Sequence, residues 1–106
     1  MTKVCERRYY DKILINIEGH SGYAKSGEDI VCAGVSALVC TLLNCINDEE
    51  ADGRLKLHKN IVRDGYVCIE VEAFDFAENR VEAIIETCMK GLYMLSCEYP
   101  KYITFE

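Results

Sequence analysis

Ile13-Leu14-Ile15-Asn16-Ile17-Glu18, followed by Gly19-His20-Ser21-Gly22-Tyr23-Ala24 and, from Asp29, by Ile30-Val31-Cys32-Ala33-Gly34-Val35-Ser36, carries a strand, a loop and a helix start in one stretch. Ile13, Ile15 and Ile17 alternate with Leu14, Asn16 and Glu18, the period of a strand with one strongly buried face. Residues 19–28 hold three glycines and two serines, the composition of a mobile loop. Asp29 stands where an N-cap belongs, and Val31, Val35, Leu38, Val39, Leu42 and Ile46 follow at helical spacing to about residue 47. Ala33, Ala37, Leu43 and Cys40 make the other faces of this helix nearly as apolar, so it needs cover on more than one side.

Outward from that unit, residues 2–7 form a weaker strand, joined to the isoleucine strand by a polar hairpin connection. Residues 47–50, Asn-Asp-Glu-Glu, act as a polar stop. Residues 54–58 and 66–72 alternate as a hairpin pair, with Val67, Ile69 and Val71 on one face and Tyr66, Cys68, Glu70 and Glu72 on the other. A second helix starts at residues 75–78 and runs to about residue 97, with Val81, Ile84, Ile85, Cys88, Leu92 and Leu95 as its stripe. Pro100 ends it, and residues 102–106 are a last strand. The expectation is an α+β fold of order ββαββαβ, two helices packed on a mostly antiparallel five-stranded sheet, in a single domain over residues 1–106.

Composition bounds the function. The chain has 106 residues and a net charge of −6 without a basic cluster, which disfavours direct contact with nucleic acid. Seven cysteines cannot all pair, and the first residues lack a secretory apolar core, so a reducing cytoplasm is expected. No C-x-x-C occurs, and Cys40 and Cys45 do not converge on one ion; neither a metal nor another cofactor is expected. Charged residues are read as interrupting every apolar run, which leaves no membrane span.

The chemistry concentrates at the loop and helix start. With Asp29 as cap, Cys32 is the third helical residue, beside unpaired first-turn N–H groups whose partial positive charge favours a thiolate. His20 ends the buried strand and can lean over that helix start. An imidazole that takes a thiol proton and returns it to a leaving amine makes a nucleophile, and the first-turn N–H groups can hold an oxyanion. The residues alone also allow a plainer account. Cys32 can be a small buried hydrophobe, His20 a strand-end histidine satisfied by backbone, Asp29 a cap and nothing more, and Ser36 a back-bonded helical serine.

The pattern Gly-His-x-Gly-Tyr-Ala, a short glycine-bearing loop, then Asp-Ile-Val-Cys-Ala-x-Val-Ser resembles the ribosomal-processing cysteine protease family, Prp, and the resemblance spans the chain. It implies a cysteine endopeptidase that removes the N-terminal extension of a large-subunit ribosomal protein precursor, allowing ribosome maturation. It also implies a homodimer, which suits the nearly all-round apolar first helix. Onto this sequence it places the catalytic histidine at His20 and the nucleophile at Cys32, with Asp29 and Ser36 as supporting polar residues. The loop, open in the free protein, would close over an extended peptide, with Gly19, Gly22 and Tyr23 against the substrate; Tyr23 can equally be a loop anchor. Gly34 departs from the alanine usual in relatives and costs the helix about 1 kcal/mol.

A non-catalytic dimeric module that binds the same ribosomal precursor is the competing function. A thiol-redox protein is third, weakened by the missing C-x-x-C. Elsewhere, Cys5, Cys68, Cys88 and Cys97 are expected to pack as small core residues. His58 is expected to be solvated, and the acidic runs 48–50 and 70–72 to be solvated faces.

Overall fold

The computed structural model describes residues 1–106. Strands β1 (Thr2–Tyr9) and β2 (Lys12–Glu18) precede helix α1 (Ile30–Ala51). Strands β3 (Leu55–Arg63) and β4 (Tyr66–Ala73), a short 3₁₀ turn (Asp75–Ala77), helix α2 (Glu78–Glu98) and strand β5 (Ile103–Phe105) follow. The order ββαββαβ is as expected. The five strands form one sheet, β3-β4-β2-β1-β5, antiparallel throughout except where β5 joins β1 in parallel.

Both helices cover one face of the sheet. Ile13, Ile15 and Ile17 of β2 and Ile69 and Val71 of β4 meet Val31, Val35, Val39, Leu42 and Ile46 of α1 and Val81, Ile85 and Leu92 of α2 in one apolar core. The helices interlock through their glycines. A β-carbon on Gly91 would lie 2.6 Å from Leu38 Cδ2, and one on Gly34 would lie 3.1 Å from Leu95 Cδ1. Gly34 is therefore a seat for a leucine of the facing helix, and not only a weak helix former.

Several expectations need correction. Helix α1 does not stop at residue 47. It continues through the acidic residues to Ala51 and ends in a Schellman turn, where Arg54 N–H donates to Glu49 O and Gly53 N–H to Glu50 O, with Gly53 at φ +74°. Glu49 is not solvated but 3 % exposed, held by Arg54 and Arg80. Glu70 is buried too, on the helix-free face of the sheet, where the Tyr9 hydroxyl donates to it. That hydrogen bond first, against desolvation, holds the Glu70 carboxyl below its ordinary value. His58 sits at a β-bulge in β3 and bonds Glu72 through Nε2 at 2.8 Å, only partly exposed. Cys97 is exposed. Strand β3 runs five residues past 58, to Arg63, because β4 pairs with it all the way to the turn, through Arg63 and Tyr66. Finally, α1 is long and apolar enough to cross a membrane by length and composition, since residues 30–47 carry no charge. In this fold its stripe is spent on the core.

Candidate active site

The site forms at one end of the sheet, where β2 stops, α1 starts and the β3–β4 turn comes round. Glu18 pairs with Lys3 of β1 and Tyr66 of β4, which brings the loop after β2 beside the turn at Asp64 and Gly65. Gly19 N–H donates to Gly65 O at 2.8 Å, tying loop to turn. Gly19 has φ +93°, and a β-carbon there would lie 2.3 Å from the carbonyl oxygen of Met1. Only glycine fits.

Asp29 caps α1 as expected and does more. Its Oδ1 accepts from Cys32 N–H at 2.9 Å, and Oδ2 accepts from Tyr23 N–H at 2.9 Å and Ala24 N–H at 3.3 Å. One carboxylate thus fastens the loop to the helix start. Desolvation, the largest single influence, pushes this carboxyl up, but the bonds from Cys32, Ala24 and Tyr23 together pull it below its ordinary value.

Cys32 is half-buried at the third helical position, and Ser21 N–H donates to its Sγ at 3.3 Å. Ser21 is itself buried and shares a 2.7 Å hydrogen bond with Thr2 Oγ1. These two contacts fix Ser21, the residue after His20, against both β1 and the thiol. Sequence reasoning passed over it, because a serine among loop glycines carries no pattern. Cys88 shows the contrasting environment: burial, aided by the charge of Cys45, pushes its thiol up, as suits a packing residue.

The His20 side chain is 64 % exposed and lies over Gly65, with Nε2 at 3.7 Å from Asp64 Oδ2. No hydrogen bond joins its ring to Cys32 Sγ. Both residues line one cleft of about 810 Å³ between α1 and the β3–β4 hairpin. Ser36, Val39 and Leu43 continue the helix wall from Cys32, and Val62, Tyr66 and Val67 form the opposite one. Ser36 makes no back-bond to Cys32, unlike Thr41, whose hydroxyl donates to Ala37 O. Its hydroxyl is left for whatever occupies the cleft.

Gly19 and Gly22 also line this cleft, whereas Tyr23 does not. Its ring packs edge-on against Tyr99 at 5.6 Å and Tyr102 at 5.2 Å between centroids, the place of a loop anchor. No three His, Cys, Asp or Glu side chains cluster as a metal ion would require.

The chain and its fold have counterparts among known proteins. The ribosomal processing cysteine protease Prp of Bacillus subtilis is 40 % identical over 48 residues, a match spanning 43 % of this chain and 43 % of that protein's length. The crystal structure of the ribosomal processing protease Prp from S. aureus with a covalently linked product peptide superposes with a TM-score of 0.77 at 23 % identity, covering 100 % of this chain and 98 % of the other. The same S. aureus protease with a substrate peptide gives 0.71 at 21 % identity, again over 100 % and 98 %. At those identities the likeness is one of fold. The model of the family described as cysteine protease Prp matches residues 1–104, essentially end to end, and the chain belongs to that family.

Proposed function

We propose that this chain is a cysteine endopeptidase that removes the N-terminal extension from a large-subunit ribosomal protein precursor. The observation that carries this is the placement of Cys32 at the third position of α1, on the same cleft as His20 and with a backbone N–H already directed at its sulfur. Half of the residues lining the cleft are apolar, which suits an apolar peptide segment. A peptide laid along α1 brings a carbonyl over Cys32. His20 takes the thiol proton, Sγ attacks the carbonyl carbon, and N–H groups of the helix start receive the oxyanion. The proton then passes to the leaving amine, and water hydrolyses the acyl-enzyme. Asp29 acts by fixing loop and helix together, and the free hydroxyl of Ser36 lies one turn further along the cleft wall. The names of the B. subtilis and S. aureus relatives support the ribosomal substrate.

The protein acts as a homodimer in this proposal, supported by the exposure of Ile30 at 58 % on a helix whose inner stripe is already covered. A cytoplasmic setting is supported by seven unpaired cysteines. The net charge of −6 supports a protein partner over nucleic acid.

The missing His20–Cys32 hydrogen bond favours one rival, a module that binds the precursor without cutting it. The deciding experiment is mass spectrometry of a peptide spanning the extension junction, incubated with wild type, Cys32→Ala and His20→Ala. Cleavage by wild type alone is expected, with both variants folded. Cleavage by Cys32→Ala at the wild-type rate removes the nucleophile assignment, and binding without cleavage by wild type establishes the rival.

A further inference from the structure

We infer that Asp64, with Gly65 beneath the ring, is the positioning residue for His20, an inference that rests on the protease assignment above. Asp64 and Gly65 are the two residues of the β3–β4 turn, between the paired Arg63 and Tyr66. They are distant from His20 in sequence, and no motif spacing marks them. Three independent contacts bring them to it. The Gly19 N–H bond to Gly65 O fixes the backbone just before His20. The absent side chain of Gly65 leaves the space the ring occupies: a β-carbon there would lie 2.8 Å from Nε2, 3.3 Å from Cδ2 and 3.5 Å from Cε1. The Asp64 carboxylate then faces Nε2 at 3.7 Å, in ion-pair range of an imidazolium.

The chemical consequence follows from the two ring nitrogens. At 3.7 Å the carboxylate is beyond hydrogen-bond reach, but its charge favours the tautomer with the proton on Nε2, which leaves Nδ1 as the base. In the reaction the Cys32 S–H bond breaks and its proton goes to Nδ1, giving an imidazolium whose Nε2–H faces Asp64. The thiolate forms the S–C bond to the scissile carbonyl. As the C–N bond breaks, the Nδ1 proton leaves with the amine. The Nε2 proton stays on the ring throughout, and Asp64 stays ionised. Asp64 touches neither substrate nor thiol; it acts through His20 alone.

Its side chain is 96 % exposed, so the attraction is screened and the effect is modest. For Asp64→Ala we expect kcat on the junction peptide to fall roughly two- to fivefold with KM unchanged. Asp64→Glu should recover part of the loss, and the gap should close in about 0.5 M salt. Gly65→Ala pushes the ring off its seat and should lower kcat tenfold or more. A second readout does not need activity. Nuclear Overhauser contacts between the His20 ring protons and Gly65 Hα should be strong in wild type, weaker in Asp64→Ala and lost in Gly65→Ala. An active wild type whose kcat and ring contacts are both unmoved by Asp64→Ala overturns the inference and keeps the protease. An inactive wild type whose ring contacts still depend on Asp64 overturns the protease assignment and keeps Asp64 as the residue that positions His20.

Discussion

Replacing Gly19 by alanine tests whether the backbone before His20 is as tightly set as its contacts imply. The new β-carbon would stand 2.3 Å from the Met1 carbonyl oxygen and 3.4 Å from the Met1 carbonyl carbon. Ordinary separation is longer by about 1 Å. Neither side yields cheaply. Thr2 N–H is bonded to Tyr102 O at 2.8 Å and Thr2 Oγ1 to Ser21, while Gly19 N–H is bonded to Gly65 O. A left-handed φ of +93° adds about 1–2 kcal/mol of strain for any residue with a side chain. Together the strain and collision should destabilise the fold by about 2–4 kcal/mol, on the order of 10–20 °C in Tm for a domain of this size. The displacement of about 1 Å that relieves the collision carries His20 with it, and a misplacement of that order costs roughly 100-fold in kcat. The assays are thermal unfolding by circular dichroism and steady-state cleavage of the junction peptide. A Gly19→Ala protein with Tm within about 2 °C of wild type and kcat within about twofold would refute the reasoning.

Further outcomes follow from the same structure. Because the Asp29 carboxyl is held below its ordinary value of 3.8, its stabilisation is fully present above that pH and lost as acidification passes the lowered value. Thermal unfolding between about pH 6 and pH 3 should therefore show the wild-type advantage over Asp29→Asn shrinking as pH falls. An advantage that grows on acidification would reverse the sign assigned here. Gly34→Ala sets a helix-propensity gain of about 1 kcal/mol against a 3.1 Å approach to the end of the half-buried Leu95 side chain, and should be close to neutral. Gly91→Ala meets Leu38 at 2.6 Å and should be less stable than Gly34→Ala by about 1–2 kcal/mol in urea titration; the opposite order would contradict the helix packing. Glu49→Ala leaves Arg54 and Arg80 without their shared partner and should cost about 1–3 kcal/mol, moderated because both arginines can turn to solvent; an unchanged urea midpoint would count against the buried ion pair.

What could be read from the sequence was what neighbours along the chain decide. The alternation of Ile13, Ile15 and Ile17 sets which face of β2 is buried, and a two-residue period cannot be confused with a helix at that length. Asp29 three residues before Cys32 is a local capping signal, and it places the thiol at the helix start without help from the rest of the fold. What escaped depends on partners far away. Glu49 reads as solvated until Arg80, 31 residues on, reaches it. Glu70 reads the same way until Tyr9, 61 residues away, covers it from across the sheet. The seat of His20 is a turn that sequence places 44 residues later, and no spacing announces it. The end of α1 escapes for a different reason: the acidic residues 48–50 look like a stop but tolerate helix well, and the true stop is Gly53.

The packing of Tyr23 between Tyr99 and Tyr102 gives the protein a built-in optical signal. The chain has seven tyrosines and no tryptophan, so its near-ultraviolet circular dichroism and emission come from tyrosine without a stronger chromophore to mask them. Three of the seven meet where the loop is fastened to the end of α2 and the start of β5. If a peptide entering the cleft shifts the loop, the contacts of these rings change and so does the asymmetric environment that gives the signal. Substrate entry and loop movement can then be timed separately from bond cleavage, in the unlabelled protein, by stopped-flow with Cys32→Ala.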